Sequence, residues 1–249
     1  MIDIHSHILP EIDDGSMDMV CSVEMAQIAV DAGVTEMIAT PHSNQRGYFE
    51  NYVSAELAER YRNLISELKN EEIPLKIYPG MEVYGTHDVP QLYREGKLLT
   101  LNNSRYMLIE FDFYSDVYRM ERVLYDLMSL GCVPVVAHPE RYFALQEEPE
   151  VVGRWIEDGM ATQVNKGSLT GRFGRGAKRL AHILLADGNI SCIASDAHGA
   201  QMRSPDMSEV QEYLAVEASE ETAELLLCEN PKRIIMNQPL LRAEEIQLF

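Results

Sequence analysis

The sequence predicts an α/β protein whose parallel strands form a barrel of seven βα units, one short of the usual eight. Short runs such as TEMIAT, VPVVAH and ISCIAS consist almost entirely of apolar or small residues, which suits strands that are covered on both faces. Longer amphipathic segments separate these runs and predict helices between the strands. Gly33, Gly131 and Gly188 each stand where a predicted helix ends and a strand follows.

The predicted elements follow one another along the whole chain. We predict strands at Met1–His5, Glu36–Thr40, Leu75–Pro79, Tyr106–Phe111, Val133–Ala137, Thr162–Val164 and Ile190–Ala194. We predict helices near residues 16–32, 51–70, 117–130, 149–159, 173–187, 207–217 and 220–229. An open, doubly wound sheet is the alternative, and the absence of G-x-G-x-x-G and G-x-x-x-x-G-K-[ST] motifs disfavours it. The length suits a single domain over residues 1–249.

The composition is that of a folded protein with a strongly acidic charge balance. The formal net charge is −19 at pH 7, from 40 acidic residues against 21 lysines and arginines. Such a surface repels nucleic acid phosphates and anionic membranes, so we expect neither as a partner. No stretch approaches the ~20 apolar residues of a membrane span, and the first residues do not resemble a signal peptide. We therefore expect a cytoplasmic protein without membrane insertion.

The four cysteines predict neither a disulfide framework nor a nucleophile. Cys21, Cys132, Cys192 and Cys228 lie far apart and form no C-x-x-C pair, which favours a reducing compartment. None of them has an arginine six residues later, as the C-x5-R loop of a cysteine phosphatase requires. The G-x-S-x-G elbow of many serine hydrolases is also absent. The sequence therefore disfavours covalent catalysis by cysteine or serine.

Imidazole and carboxylate side chains recur where the predicted strands end. In chain order they are His5, His7, His42, Glu82, Glu110, His138, Asp196 and His198. Because the carboxyl ends of the strands in a parallel barrel converge on one mouth, residues distant in sequence would meet there. Of the seven histidines, only His87 and His182 lie elsewhere.

Each of these residues also has an ordinary structural interpretation. A single histidine at a strand end is more often a hydrogen-bonded core or loop residue, and Asp196 could cap the following segment. Glu110, within an apolar strand, would need a partner to offset its desolvation. The spacing of His5 and His7 is more specific, because residues i and i+2 of an extended strand point the same way and can bind one ion together.

Several motifs together resemble those of the polymerase and histidinol phosphatase (PHP) superfamily. They are DIHSHILPEIDDG, ATPH, GME, LIEF, AHPERY and ASDAH, and the resemblance extends from Met1 to about residue 235. More narrowly, the motifs are similar to those of bacterial tyrosine-protein phosphatases of capsular and exopolysaccharide biosynthesis. The resemblance implies a distorted TIM-like (β/α)7 barrel of the PHP type.

The resemblance also implies a site for three divalent ions. It places the first ion on His5, His7, Glu82 and Asp196, the second on Glu82, Glu110 and His138, and the third on Asp14, His42 and His198. Asp14 is chosen over Asp13 because it directly precedes Gly15. The implied metal is Mn²⁺, although a set of imidazoles and carboxylates without thiolate also suits Fe²⁺ or Zn²⁺.

Two arginines near these motifs are candidates for catalytic and substrate-binding groups. Arg141 lies three residues after His138, and Arg203 lies five residues after His198. Arginine can hold a phosphoryl group through two parallel hydrogen bonds. Surface salt bridging is the alternative, and for Arg203 it is as good an explanation. The GRFGRG segment (171–176) could contact an acidic peptide or form only a flexible loop.

The site and the resemblance together predict a function. We expect a manganese-dependent protein-tyrosine phosphatase that hydrolyses phosphotyrosine by metal-activated hydroxide. By the resemblance, its substrate is a bacterial autophosphorylating tyrosine kinase that regulates capsular or exopolysaccharide synthesis. The alternatives are a small-molecule phosphatase, such as histidinol-phosphate phosphatase, and a metal-binding regulator without turnover. The sequence identifies no general acid, although His87 is a candidate.

Overall fold

A computed structural model describes residues 1–242, in which every strand pairing within the sheets is parallel. The strands are β1 (Ile2–Ser6), β2 (Glu36–Ala39), β3 (His42–Ser43), β4 (Lys76–Pro79), β5 (Glu82–Tyr84), β6 (Tyr106–Glu110), β7 (Val133–Ala137), β8 (Ala161–Asn165) and β9 (Cys192–Ala194). The predicted α/β class with parallel strands is confirmed. Residues 243–249 of the predicted single domain lie outside the described residues.

Two of these strands, β3 and β5, are missing from the sequence-based prediction. Strand β3 begins only three residues after β2 ends, and β5 follows β4 at the same interval. Pro41 lies in the first break and has no N–H to donate to a strand ladder. Gly80 lies in the second break, and a Cβ at this position would lie 2.8 Å from the side chain of Ile38. Strands of two or three residues are also too short to show a period in the sequence.

The strands form a three-stranded sheet of order β1-β2-β4 and a six-stranded sheet of order β3-β5-β6-β7-β8-β9. A parallel bridge between Ser6 and Ala197 joins the end of β1 to the segment after β9. One apolar cluster contains side chains from both sheets, including Ile4, Leu108 and Val135. The two sheets therefore share an interior, and their strand ends lie close together.

Helices connect the strands and cover their outer faces. They are α1 (Met19–Asp31), α2 (Ala55–Asn70), α3 (Val89–Arg94), α4 (Val117–Met128), α5 (Phe143–Glu147), α6 (Glu150–Glu157), α7 (Lys166–Thr170), α8 (Arg175–Ala186), α9 (Ser208–Glu217), α10 (Glu220–Glu224) and α11 (Asn230–Ile235). The unpredicted helices α3, α5, α7 and α11 are too short for a helical period to be evident. Within residues 1–242, no helix has both the length and the apolar character needed to cross a bilayer.

The helices α1, α2 and α4 begin at side-chain caps, and the longer helices pack through apolar faces. Asp18, Ser54 and Asp116 each accept a backbone N–H in the first turn of the helix that follows, a contact worth about 1 kcal/mol. The inner face of α8 buries Leu180 and Leu184 completely, and each such side chain contributes roughly 1.5–3 kcal/mol. These layers hold the strand ends in place.

Candidate metal centre

The nine predicted ligand residues come together at one end of the strands. In the pairing of β3 with β5, His42 lies directly beside Glu82, and Glu110 is the last residue of the neighbouring strand β6. His138 directly follows β7. The remaining members lie at the end of β1 or in the segments after β1 and β9, and they are His5, His7, Asp14, Asp196 and His198. The side chain of Asp14 is 55% exposed, whereas the other eight are almost completely buried.

Three groups of side chains could each hold a metal ion, because their ligand atoms lie within 4.8 Å of one another. The groups are His5, His7 and Asp196; His42, Glu82 and Glu110; and His7, Asp14, His42 and His198. His7 and His42 each belong to two groups, whereas the resemblance assigns each of them to one ion. His138 belongs to none of the three, but its Nε2 lies 3.0 Å from Oε1 of Glu82.

Glu82 lies at the centre of the cluster. Its Oε2 is 3.2 Å from Nε2 of both His5 and His7. The same oxygen is 3.1 Å from Nδ1 of His42, and the other oxygen faces His138. One buried carboxylate thus faces four imidazoles, as a group that bridges two cations would.

Hydrogen bonds orient the two histidines of the H-x-H motif. Nδ1 of His5 lies 2.7 Å from Oε1 of Gln163, and Nδ1 of His7 lies 2.8 Å from Oδ2 of Asp13. Because these oxygens can only accept, the proton of each neutral ring is placed on Nδ1. The Nε2 lone pairs of both rings then point into the cluster, as in metal sites whose histidines donate to a carboxylate or carbonyl.

The structure separates the roles of the two adjacent aspartates in the Asp-Asp-Gly segment. Oδ1 of Asp14 is 3.4 Å from Nε2 of both His42 and His198. Asp13 instead orients His7 from outside the ligand groups. The next residue must be glycine, because a Cβ at Gly15 would lie 2.3 Å from the carbonyl oxygen of His7. This geometry supports Asp14 as the ligand.

The charged neighbours keep the buried carboxylates ionised. Burial by itself would raise the pKa of Glu82, but His5 and His42 hold that pKa well below its usual range. Burial also opposes the ionisation of Asp196, yet His5 and Arg203 help to hold its pKa well below the usual range. The same ion pairs raise the pKa values of His5 and His42, against the effect of burial. A divalent cation would displace these protons, and the cluster would then offer it negatively charged oxygens and neutral imidazole nitrogens.

The cluster also leaves contacts that a cation would satisfy. Nε2 of His5 and Nε2 of His7 approach to 3.3 Å, although neither nitrogen carries a proton in the tautomers described above. Nδ1 of His42 and Oε2 of Glu82 are buried and lie 3.1 Å apart, but neither atom makes a well-directed hydrogen bond with any of the described residues. Buried polar atoms without partners are rare, and nitrogen and oxygen donors without thiolate suit divalent ions. The residues present therefore fit a metal centre.

Both predicted arginines lie beside this cluster. Nη2 of Arg203 is 2.5 Å from Oδ2 of Asp196, and Nη1 of Arg141 is 3.6 Å from the same oxygen. The other oxygen of Asp196 lies 3.5 Å from Nε2 of both His5 and His7. Asp196 thus separates the imidazole cluster from two cationic side chains, which remain 20% and 33% exposed for Arg141 and Arg203.

Two phenylalanines fix the guanidinium group of Arg141. Its Cζ lies 4.5 Å from the ring centroids of both Phe113 and Phe173. Phe173 is also 5.9 Å from Cζ of Arg203. Such cation–π contacts contribute roughly 0.5–2 kcal/mol each. They also restrict the orientation of the guanidinium plane.

Three of the predicted site residues have a left-handed backbone, which is uncommon for residues other than glycine. The φ angles are 35° for His138, 50° for Asp196 and 50° for Arg203. Each such conformation costs on the order of 1–3 kcal/mol and is held by the surrounding structure. At all three positions the strained backbone turns a side chain toward the cluster, a placement typical of functional sites.

Sequence reasoning missed several residues that support the site. Gln163 and Asn165 lie on the same face of β8, where Gln163 orients His5 and Asn165 donates to Oδ2 of Asp196 at 2.6 Å. The sequence does contain a signal for them, because two amides at alternate positions of the apolar run ATQVN point to the same face of a strand and need polar partners there. Phe113 and Phe173 had no such signal, because only the fold brings their loops to Arg141.

Comparison with known proteins shows close relatives over nearly the whole chain. A family model described as "Capsular polysaccharide synthesis, CpsB/CapC" matches residues 1–236. The tyrosine-protein phosphatase YwqE of Bacillus subtilis (strain 168) is 40% identical over 244 residues, which cover 97% of this chain and 94% of YwqE. The tyrosine-protein phosphatase CpsB of Streptococcus pneumoniae is 32% identical over 243 residues, which cover 96% of this chain and 99% of CpsB.

A solved structure agrees with these sequence matches. It comes from a study of YwqE from Bacillus subtilis and CpsB from Streptococcus pneumoniae, described as unique metal-dependent tyrosine phosphatases. It matches this chain with a TM-score of 0.90 at 39% sequence identity, and the match covers 97% of each chain. The predicted resemblance is therefore confirmed, and the chain belongs to the CpsB/CapC family of capsular polysaccharide synthesis.

Proposed function

We propose that this protein is a metal-dependent protein-tyrosine phosphatase. The observation that carries the proposal is the buried convergence of imidazoles and carboxylates directly beside two arginines. A cation cluster next to guanidinium groups suits the dianionic phosphoryl group of a phosphate monoester. The relatives YwqE and CpsB, which match nearly the whole chain, are named tyrosine-protein phosphatases, and this supports an aryl phosphate as substrate.

The proposed cofactor is three divalent ions, with Mn²⁺ as the metal and Fe²⁺ or Zn²⁺ as alternatives. The residues that would hold them are His5, His7, Asp14, His42, Glu82, Glu110, His138, Asp196 and His198. When bound, ions of this kind lower the pKa of a coordinated water toward neutrality and neutralise charge on phosphoryl oxygens. Four carboxylates against three divalent ions leave about two positive charges, so an acidic protein can still attract phosphate.

The protein's own side chains would bind and orient the phosphoryl group. Arg141 and Arg203 can donate hydrogen bonds to its oxygens, and Asp196 holds both guanidinium groups beside the ligand cluster. Phe113 and Phe173 keep the guanidinium plane of Arg141 in one orientation. The tyrosinate leaving group has a pKa near ~10 and needs little protonation to depart, which fits the exposed position of His87 outside the ligand groups.

We further propose that the two sheets form the distorted (β/α)7 barrel of a single domain. Strands β2 and β3, and likewise β4 and β5, continue one another across short breaks. Counting each pair as one barrel strand reduces nine strands to seven. The bridge between Ser6 and Ala197 and the shared apolar interior support this arrangement.

The proposed substrate in the cell is the phosphotyrosine of a bacterial autophosphorylating tyrosine kinase, with both proteins in the cytoplasm. Membership in a family of capsular polysaccharide synthesis supports a role in controlling that pathway. A large phosphoprotein could reach the site because the arginines lie at its exposed side.

One panel of assays tests the function. The purified protein, loaded with Mn²⁺, is offered a phosphotyrosyl peptide, a phosphoseryl peptide and histidinol phosphate, each with and without a chelator. We expect chelator-sensitive hydrolysis with preference for the phosphotyrosyl peptide. Preference for histidinol phosphate would contradict the proposal and indicate a small-molecule phosphatase. Stoichiometric metal binding without any turnover would indicate a regulator instead.

A further inference from the structure

One segment of this acidic protein carries only positive charge. From Gly159 to Ala186 the chain has no Asp or Glu in 28 residues, although 40 acidic residues occur in the 249. The same segment contains Lys166, Arg172, Arg175, Lys178 and Arg179. We call Arg172, Arg175, Lys178 and Arg179 the cationic strip, since they lie on the loop before α8 and on its first turns.

The cationic strip begins next to the proposed phosphate-binding groups. The loop that carries Arg172 also carries Phe173, whose ring centroid is 4.5 Å from Cζ of Arg141. The first turn of α8 packs against Gln146, because a Cβ at Gly176 would lie 2.1 Å from Oε1 of Gln146. Gln146 in turn donates to the backbone of the segment that holds Arg141. A chain leaving the site on this side would therefore meet the strip.

The side chains of the strip are exposed, and two of them have no acidic partner. Arg172 forms an ion pair with Glu209 at 3.1 Å, and Arg179 donates to the carbonyl oxygen of Gln146. Among residues 1–242, no carboxylate oxygen lies within 4.0 Å of the charged group of Arg175 or Lys178. Their charges are therefore available to an outside ligand, in a protein with nearly two acids for each basic residue.

Helix stability does not explain these cations. Arg175 is the first residue of α8, and the helix begins at Gly174 without a side-chain cap or an acidic residue in its first turn. Cations near a helix N-terminus are unfavourable, because the helix dipole is positive there. By contrast, α1 and α4 begin at aspartate caps. A local choice that opposes stability often marks a functional surface.

We propose that the cationic strip docks acidic residues that flank the phosphotyrosine of a protein substrate, which rests on the proposed phosphatase function. The part of the strip on α8, from Arg175 to Arg179, spans about 6 Å along the helix, a length that about two extended substrate residues would match. A short acidic peptide interacts mainly with the positive charge of the strip, because salt screening limits each electrostatic interaction to about 8–10 Å. Extended polyanions such as membranes or nucleic acid would also face the rest of a surface with net charge −19.

The test compares the wild type with the double variant Arg175→Glu, Lys178→Glu. The substrates are a phosphotyrosyl peptide with acidic flanks, the same peptide with amide flanks, and p-nitrophenyl phosphate, all with the Mn²⁺-loaded protein. We expect kcat/KM for the acidic peptide to fall about tenfold, mainly through KM. The other two substrates should change by less than about twofold. The salt dependence of the wild type toward the acidic peptide should be lost.

A matched control separates the strip from the overall charge. Arg62 and Lys69 are exposed on α2, and Arg62→Glu, Lys69→Glu makes the same charge change there. That control should keep the wild-type preference for acidic flanks. Equal losses on all three substrates, or an equal effect in the control, would overturn the proposal.

A binding measurement keeps this inference separate from the phosphatase proposal. Fluorescence anisotropy with a labelled, unphosphorylated acidic peptide should show weaker binding to the strip variant than to the control, even if no ester is hydrolysed. Absence of hydrolysis would refute the proposed function alone. Equal peptide binding by both variants would refute the proposed docking role of the strip. Binding to phosphatidylserine vesicles is measured in parallel, and a strip variant that lost only vesicle binding would assign the strip to a membrane surface and also refute the proposal.

Discussion

The candidate site has a floor and a rim that are built in different ways. The floor, the nine proposed ligands, lies on or beside strand ends, is almost fully buried apart from Asp14, and is oriented by hydrogen bonds. The rim, Arg141, Arg203, Phe113 and Phe173, comes from loops and from the short 3₁₀ turn Pro139–Arg141, and its arginines stay partly exposed. Because the two groups share no residue, we expect mutations to affect metal binding and substrate binding separately.

The largest effect should come from the centre of the floor. Glu82→Gln keeps the size of the side chain but removes the negative charge that faces His5, His7 and His42. We expect bound metal to be lost and kcat to fall on the order of 10³-fold. Elemental analysis of the purified variant, together with kinetics on a phosphotyrosyl peptide, measures both. Full metal content with normal turnover would show that Glu82 is not part of the centre.

A change in the rim should affect activity without affecting metal content. Arg141→Ala removes a guanidinium group that lies beside the cluster, and we expect kcat/KM to fall about 10²-fold. Arg141→Lys should restore only part of this loss, because lysine cannot donate two parallel hydrogen bonds. If either variant also lost its metal, the proposed separation of floor and rim would be incorrect.

A smaller effect is expected where a residue supports the floor from outside. Asp13→Asn weakens the contact that places the proton of His7 on Nδ1, so we expect metal affinity to fall about tenfold. Titration of the metal-free protein with Mn²⁺ measures the affinity. The matched change Asp14→Asn alters a proposed ligand and should weaken binding more. A larger loss of Mn²⁺ affinity in Asp13→Asn than in Asp14→Asn would assign the ligand role to Asp13.

The smallest effect should come from the aromatic support of the rim. Phe173→Leu removes one of the two rings against Arg141, and we expect kcat/KM to fall about fivefold. The same substitution in an Arg141→Ala background should have little further effect, because its partner is already gone. Phe143→Leu changes an exposed ring that contacts Tyr114 instead, and it serves as the control. Additive losses in the double variant would rule out a positioning role.

The strands and helices that can be predicted from the sequence are mostly those with a clear hydrophobic period or a continuous apolar run. Buried strands such as Val133–Ala137 consist of continuous apolar residues and were predicted with the observed bounds. The capped and amphipathic helices α2 and α4 were predicted within a few residues. The short strands β3 and β5 and the one-turn helices escaped prediction, because their few residues contain no complete period.

The family, the alternation of strands and helices, and the residue types that a metal centre needs can all be read from the sequence, since these depend on local pattern and on recognisable motifs. The folded chain is needed to show which of two adjacent aspartates faces the cluster and which imidazoles share Glu82. It also shows that Phe113 and Phe173 enclose Arg141. These relations join residues as far apart in the chain as Asp14 and His198, and long-range packing, not local pattern, sets the distances between them.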